Sequence, residues 1–149
     1  MKDVKPILYA GNFERSIDAK KRMAVPASWL REKEGEELYV MLHSSKQFVV
    51  VMPSETLLST AEEINSSDRS PKEKRMLMRN FYSRAYRVTT DGQGRILLPS
   101  EQCEQADLRA NAMCMGVQDR FEIWNPERCD ASMAAGETTY QEAADELGL

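Results

Sequence analysis

Two stretches of this 149-residue chain carry the same arrangement of residues that could bind an anion. They are SIDAKKRMAVP at residues 16–26 and TTDGQGRILLP at residues 89–99, and each has an aspartate followed four residues later by an arginine. The acid–base pairs are Asp18 with Arg22 and Asp91 with Arg95. An arginine guanidinium can bind a phosphate or a guanine edge through two parallel hydrogen bonds. The spacing therefore predicts two turns that each present such a group.

The two motifs belong to a longer duplication. Residues 9–53 align with residues 82–126 without a gap, at an offset of 73, and six of the 45 positions are identical. Average composition would give about two or three identities by chance. The identities outside the acid–base pairs are Tyr9 with Tyr82, Pro26 with Pro99, Phe48 with Phe121 and Pro53 with Pro126. Their constant order predicts a pseudo-symmetric surface, which suits a symmetric or repeated partner.

A purely structural interpretation of the motif is also open. Aspartate and glycine are ordinary turn residues, and Gly92 and Gly94 readily accept positive φ. An arginine four residues after an aspartate can fold back onto it as an ion pair. For one copy this salt-bridged hairpin is the simpler interpretation, whereas two copies with further basic residues nearby favour a shared function.

Charge is unevenly distributed along the chain. The net charge is −4, but residues 125–149 hold six acids and one base, so residues 1–124 carry a net charge of +1. Both motif regions, residues 13–22 and 84–95, have a local net charge of +2. The additional bases are Arg15, Lys20 and Lys21 in the first region and Arg84 and Arg87 in the second. The local charge matters more than the net charge for binding an anionic partner, because the field of a surface charge fades over about 8–10 Å.

The same elements are predicted in both copies. A strand (7–17 or 84–90) leads into the turn, a short strand (23–25 or 96–98) leaves it, and a helix begins at the proline. A hairpin of two apolar strands follows, at 38–42 with 47–52 and at 112–117 with 120–124. Gly35 is expected to end the first helix. The repeats are too small to be stable alone, so they are expected to share one core.

Helices are predicted between and after the repeats. Ser54 is expected to cap one helix, and Ser70 with Glu73 forms a capping box for the next. The tail is predicted as a short helix, a break at Gly136 and an acidic final helix. The predicted organisation is a first repeat at 9–53, a helical connector at 54–81, a second repeat at 82–126 and an acidic helical tail at 127–149.

Composition and motifs argue against several classes of protein. No apolar run approaches the ~18 residues of a membrane helix and no signal peptide is recognisable, so a cytoplasmic protein is expected. The three cysteines lack metal-ligand spacing and are expected to be reduced and partly buried. No phosphate-binding loop, zinc-protease or nucleophile-elbow motif occurs. We therefore predict no enzyme, with no catalytic residue, metal, cofactor or small-molecule substrate, and a structural role for His43.

The segments YAGNFERSIDAKKRMAVPASW, TTDGQGRILLPSE and GVQDRFEIWNPERC resemble the MraZ family over about residues 9–128. The resemblance implies an α+β fold with two AbrB-like swapped-hairpin β repeats around a shared β core and peripheral helices. It also implies a ring-shaped homo-oligomer that binds short tandem repeats of double-stranded DNA upstream of the division and cell-wall gene cluster. Such a transcriptional regulator would be associated with the nucleoid.

Carried onto this sequence, the resemblance implies that Arg22 and Arg95 contact DNA and that Asp18 and Asp91 shape the turns. Phosphate-positioning roles then fall to the neighbouring bases, Lys20, Lys21, Arg15, Arg84 and Arg87. Lys21 stands where the family usually has glycine, so the first turn is expected to carry more charge and the second to be more pliable. Two other interpretations stay open: an AbrB-like antitoxin whose tail binds a toxin, and an oligomeric protein-interaction module with structural turns.

Overall fold

The computed structural model describes residues 7–149, so the N-terminal segment in which no signal peptide was recognised lies partly outside the described residues. The strands are β1 Asn12–Ser16, β2 Arg22–Ala24, β3 Glu37–Leu42, β4 Phe48–Met52, β5 Tyr86–Thr89, β6 Arg95–Leu97, β7 Asn111–Gly116 and β8 Phe121–Trp124. The helices are α1 Ser54–Ser66, α2 Pro71–Ser83, α3 Ser100–Gln105 and α4 Pro126–Leu147, and a 3₁₀ turn spans Ala27–Trp29. The α+β class predicted from the sequence is confirmed.

Six strands form one antiparallel sheet in the order β1-β7-β8-β4-β3-β5, and β2 with β6 forms a separate two-stranded ribbon. The outer strands are exchanged between the repeats: β1 pairs with β7, and β5 pairs with β3. The two hairpins meet at the central β4–β8 pair. Each repeat thus completes the sheet of the other, and the two share one core.

The main core lies between the six-stranded sheet and the ribbon. Met23 of β2 and Ile96 of β6 are directly opposite each other in the ribbon, and both are fully buried. Side chains alternate along β2 and β6, so these two point inward while their neighbours are partly or fully exposed. This pattern is typical of a ribbon with one solvent-exposed face. At one end of the core, Trp29 packs against Tyr9 and Phe121, with ring centroids 6.0 and 4.9 Å away.

A smaller core lies on the opposite face of the sheet, beneath the helices. The stacked rings of Phe48 and Trp124, 4.3 Å apart, pack with Leu57 of α1 and Cys129 of α4. All five residues of β4 are buried because the main core covers one face of the strand and this second core covers the other.

Three helix predictions need correction. The helix expected to end at Gly35 is only the 3₁₀ turn, because Gly35 and Glu36 donate their backbone N–H groups to Thr90 and lead into β3. Ser54 is the first residue of α1 and makes no capping bond; Pro53 occupies the cap position. The predicted break at Gly136 is also wrong, since α4 runs through it. A glycine costs a helix only about 1 kcal/mol relative to alanine.

Other helix ends follow the sequence more closely. The Ser70 side chain accepts a hydrogen bond from the Glu73 N–H, which is one of the two bonds of the predicted capping box. The Glu73 carboxylate instead pairs with Arg69, and no return bond to the Ser70 N–H is present among the described residues. At α4, the Asn125 side chain accepts bonds from Glu127 and Arg128, and Gly148 ends the helix at φ +74°. Cys103, Cys114 and Cys129 are free and fully buried, which is more than the partial burial expected from the sequence.

Candidate nucleic-acid interface

The first Asp-x-x-x-Arg turn is closed by hydrogen bonds from one aspartate. Asp18 Oδ1 accepts the N–H groups of Lys20 and Arg22, both at 2.9 Å, while Oδ2 accepts Arg22 Nε at 2.8 Å. The backbone adds bonds from Asp18 N–H to Arg22 O and from Lys21 N–H to Asp18 O. The carboxylate thus holds both the backbone of the turn and the direction of the arginine side chain.

The second turn repeats this arrangement bond for bond. Asp91 Oδ1 accepts the N–H groups of Gln93 and Arg95 at 2.9 Å, and Oδ2 accepts Arg95 Nε at 2.8 Å. The same two backbone bonds join Asp91 to Arg95 and Gly94 to Asp91. Two segments with different tip residues therefore present an arginine in the same local frame.

Both aspartates are stabilised in the charged form. The backbone N–H of Arg22 makes the largest contribution to lowering the pKa of Asp18, and its side chain adds to it. The backbone N–H of Arg95 does the same for Asp91, whose pKa is also lowered. A carboxylate that accepts several N–H bonds loses them partly on protonation, so each turn favours ionised aspartate.

Lys21 adopts the backbone conformation of the glycine it replaces. Its φ is +66°, and that of Gly94 at the equivalent position of the second turn is +72°. The left-handed region costs a residue with a Cβ atom about 1–2 kcal/mol. The first turn therefore keeps the geometry of the second despite lacking the glycine, and gains a positive charge at its tip.

The ribbon carries one turn at each end and places both arginines on its outward face. In the antiparallel β2–β6 pair, Arg22 is opposite Leu97 and Arg95 is opposite Ala24. Symmetric backbone bonds extend the pair, from Val25 to Gly94 and from Leu98 to Lys21. The approximate twofold axis of the ribbon consequently relates one arginine to the other.

Both arginines are held by their own aspartates through Nε, and Arg95 Nη1 also lies 4.0 Å from Asp18 Oδ2. Their side chains are 34% and 28% exposed for Arg22 and Arg95. Each uses Nε for its own aspartate, and within residues 7–149 the terminal nitrogens make no hydrogen bond. The terminal N–H groups of each guanidinium can therefore donate to a phosphate or a base edge as a second partner.

The other predicted basic residues divide into two groups. Lys20, Lys21 and Arg87 line one groove of about 440 Å³ along the edge strand β5, beside the first turn. Arg87 is also paired with Glu37, with Nε 3.3 Å from Oε2. These three residues form a basic flank next to the ribbon.

Arg15 and Arg84 lie elsewhere. Arg15, on the edge strand β1, lies over the ring of Phe13 at 5.4 Å and lines a separate hollow. Arg84 follows α2, donates to Asn80 and lines a third cavity near the β3–β4 hairpin. The structure does not bring either residue to the groove beside the first turn.

The fold adds two cations that the sequence did not single out. The Lys33 side chain lies beside the second turn, within 3.7 Å of where a Cβ on Gly94 would be. Arg109 lines a hollow next to Lys21 and pairs with Asp107 at 2.8 Å. Lys33 lies in the loop between the 3₁₀ turn and β3, Arg109 lies in the loop between α3 and β7, and no local pattern marks them. Only the packing of each loop against the other repeat's turn could reveal them.

The described residues contain no cluster of three or more histidine, cysteine or acidic side chains that could hold a metal ion. Within residues 7–149, no helix has the length and apolarity needed to cross a membrane.

His43 stacks on Phe48 at 4.3 Å and bonds to Ser45 through Nδ1, in agreement with its expected structural role.

Comparison with known proteins identifies a family over nearly the whole chain. A family model described as "MraZ protein, putative antitoxin-like" matches residues 81–146. A protein of Symbiobacterium thermophilum named transcriptional regulator MraZ is 35% identical over 140 residues, covering 93% of this chain and 99% of the relative. Proteins of the same name from Bifidobacterium longum and Desulforamulus reducens are 32% and 30% identical, covering 95% and 94% of this chain and 93% and 97% of the relatives.

These relatives bear the name of a regulator and not of an enzyme, which agrees with the interpretation of the sequence as non-enzymatic. The match spans both Asp-x-x-x-Arg turns and the sheet that carries them. The chain belongs to the MraZ family.

Proposed function

We propose that this chain is a transcriptional regulator that binds double-stranded DNA through its paired turns. The observation that carries the proposal is the identical hydrogen bonding of two arginine-bearing turns on one twofold ribbon. A duplex presents chemically similar groups at regular intervals along its axis, so two equivalent contacts at a constant separation suit it. The names of the relatives support a role in transcription.

Within this proposal, Arg22 and Arg95 contact base edges or the phosphates next to them. Each guanidinium is oriented by its aspartate through Nε, which leaves its terminal nitrogens for a bidentate contact. The flexible, strongly hydrated lysines are better suited to phosphates as point charges. Lys20, Lys21 and Arg87 therefore position the duplex, and Lys33 extends this role to the second turn.

DNA binding is compatible with the acidic net charge of the chain because the acidic and basic residues lie on different parts of the structure. The acids of the tail lie on α4, which begins after the last strand and packs on the helix face of the sheet, whereas the turns lie on the ribbon side. Interactions across more than about one Debye length, ~8–10 Å, are largely screened. Acids of α4 that lie beyond this distance from the turns add little to the local field at the ribbon.

One subunit alone binds weakly in this scheme. About four to six phosphate contacts give a salt slope of about −4 to −5 and only modest affinity at physiological salt. Several subunits on consecutive short DNA repeats would raise the affinity by avidity. We therefore propose a ring-shaped homo-oligomer that recognises tandem repeats upstream of the division and cell-wall gene cluster, at the nucleoid.

The proposal is tested by fluorescence anisotropy on DNA from upstream of the chain's own gene, with salt varied. Replacing Arg22 and Arg95 together with Ala should weaken binding about 30-fold or more, since each bidentate contact contributes about 1–3 kcal/mol. Oligomer mass should be unchanged. Unchanged DNA affinity in the double variant would contradict the proposal.

A matched control removes the same charge elsewhere. Arg75 and Arg79 are exposed on α2 and have no ion-pair partner within the described residues. Their double replacement with Ala should change the affinity far less than replacement of the turn arginines. An equal loss would mean that only net charge matters, and would count against the paired-turn assignment.

A second candidate, an antitoxin, is favoured by α4. Residues of this helix beyond Cys129 are exposed except Ala144, and its large apolar side chains recur every seven residues at Met133, Tyr140 and Leu147. An exposed apolar stripe on an acidic helix suits a basic protein partner. Stable co-purification with a small basic protein encoded next to this gene, lost when Tyr140 is replaced with Asp, would support it.

A further inference from the structure

We infer that the cavity beside the β3–β4 hairpin is a binding site for a small zwitterion of amino-acid size. It has a volume of about 350 Å³, near the lower end of small-molecule pockets. Its lining comes from the hairpin loop, the end of α2, the start of β5 and α3. The residues that matter here are Lys46, Arg84, Glu101 and Gln102. This site is separate from the turns and does not depend on the proposed DNA binding.

The cavity exists because the two repeats differ at this place. In the first repeat, residues 7–11 extend β1 alongside the β7–β8 hairpin: Tyr9 exchanges two backbone bonds with Gln118 and is buried. In the second repeat, the segment before β5 is instead the last turn of α2. Tyr82, which aligns with Tyr9, lies on that helix and is exposed. No strand therefore runs alongside the β3–β4 loop to fill the space.

The side chains that fill the corresponding place in the first repeat are also replaced in the second. Trp29, in contact with Tyr9 and Phe121, aligns with Gln102 at the offset of 73. Trp29 donates its indole N–H to Ala10 O in the segment that closes the first site. An aromatic cluster in one repeat thus corresponds to a cavity lined by a polar amide in the other.

Gln102 is the observation that points to a ligand. Its residue is only 7% exposed, and its Nε2 donates to Val40 O at 3.4 Å. Its Oε1 has no hydrogen-bond partner among the described residues. A buried amide oxygen without a donor costs about 1–3 kcal/mol, so a rotation of the Gln102 side chain that exposes Oε1 to an N–H or O–H group of a ligand in the cavity would be favourable.

The charges around the cavity specify the rest of the ligand. Lys46 has no carboxylate partner within residues 7–149, and in the same range the Arg84 guanidinium donates only to the neutral side chain of Asn80. These two cations favour an anionic group. Glu101 is likewise without an ion-pair partner in the described part of the chain, and with Gln102 Oε1 it favours a protonated amine. A free amino acid carries both groups a few bonds apart.

The hairpin loop is built to hold Lys46 in place. Lys46 adopts φ +62°, and its N–H donates to His43 O at 2.8 Å, which closes the turn. The neighbouring ring of His43 is stacked on Phe48 and bonded to Ser45. One wall of the cavity is therefore ordered before any ligand binds, which lowers the entropic cost of binding.

The test uses the full-length protein without DNA and the proteinogenic L-amino acids, each added singly at millimolar concentration. Ligand-observed NMR identifies binding, and calorimetry measures it for the amino acid that binds best. We expect saturable binding of one molecule per subunit. The N-acetyl derivative, which lacks the ammonium, and the carboxamide, which lacks the carboxylate, should each bind at least about tenfold more weakly.

The Gln102→Met variant removes the orphan oxygen at nearly constant volume and should weaken binding at least about tenfold. Gln141→Met is the matched control, since it removes the same amide from the exposed face of α4 and should leave binding unchanged. If Gln102→Met does not fold, Lys46→Gln in the exposed loop gives the same test and should also weaken binding.

Three results would overturn the inference. One is that none of the amino acids binds the wild-type protein. Another is that Gln102→Met and Lys46→Gln, folded, bind as well as the wild type. The third is that inorganic phosphate or the blocked derivatives bind as tightly as the amino acid, which would leave a simple anion site. None of these results bears on DNA binding by the turns.

Discussion

The guanidinium of Arg95 lies 4.0 Å from the carboxylate of Asp18, the acid that closes the opposite turn. Asp18 Oδ2 therefore faces two arginines, its own at 2.8 Å and that of the other repeat. The reciprocal contact between Arg22 and Asp91 is not present among the ion pairs of residues 7–149. The twofold ribbon is thus electrostatically asymmetric, with Asp18 as the shared acid.

From this asymmetry we predict that Asp18→Asn lowers the thermal midpoint more than Asp91→Asn. Both substitutions remove one arginine's ion pair, but only the first also removes a negative charge from the surroundings of the second arginine. Differential scanning calorimetry at neutral pH measures the two midpoints. A larger loss for Asp91→Asn would contradict the role of Asp18 as the shared acid.

The same groups predict a dependence of stability on pH. Because the pKa values of Asp18 and Asp91 are lowered below the ordinary 3.8, the folded state binds protons less readily than the unfolded state. Their contribution is full above about pH 4 and is lost as the pH falls through the folded-state values. Thermal midpoints measured down to about pH 2 should therefore fall less steeply in the Asp18→Asn, Asp91→Asn double variant than in the wild type.

Lys21→Gly should stabilise the protein or leave its stability unchanged, within about 0–1 kcal/mol, because relief of the left-handed strain is partly offset by glycine's entropy. Gly94→Ala, at the equivalent position, should destabilise it by about 1 kcal/mol. A Cβ on Gly94 meets Leu30 Cδ1 at 3.4 Å, so backbone strain dominates over clash. Denaturant titration of both variants checks the opposite signs. Destabilisation by Lys21→Gly would show that the lysine side chain stabilises the turn.

Gly116→Ala should destabilise the protein by at least about 1–3 kcal/mol, as overpacking does in tight cores. A Cβ at Gly116 would overlap the backbone carbon of Tyr9, which cannot move without breaking the pairing of residues 9–11 with β7. Chemical denaturation measures the change.

Gly136→Ala in the middle of α4 is its control, because nothing lies within 4 Å of that position. It should stabilise the helix by up to about 1 kcal/mol. Equal effects of the two substitutions would contradict the close approach of residues 9–11 to β7.

The thiols should be unreactive in the native protein. Burial raises the pKa of Cys114 to about 12 and also raises the pKa values of Cys103 and Cys129. Since the thiolate is the nucleophile, only about one Cys114 in ten thousand is reactive at pH 8. Labelling with a chromogenic disulfide reagent should be slow in buffer and should reach three thiols per chain in guanidinium. Rapid native labelling of Cys114 would contradict its burial.

The sequence by itself determined the two turns, because their bonds join residues at most four positions apart. Asp18 to Arg22 and Asp91 to Arg95 need only local chain geometry, and even the glycine missing at position 21 did not change it. The hairpins and the capped start of α2 were equally readable, since short apolar runs and cap chemistry are local signals. The helix expected before Gly35 failed because pairing with Thr90 overrides local propensity.

Tertiary structure alone decided which groups meet. The β2–β6 pairing, which places both arginines on the outward face of the ribbon, joins residues 73 positions apart on average, and no local pattern specifies such a contact. The same pairing brings Arg95 to Asp18 and the loops with Lys33 and Arg109 to the turns. The cavity at Gln102 arises where the end of α2 replaces a strand. Residues distant in the chain become neighbours only through burial of a shared core, and that is the part of the site that spacing in the sequence does not encode.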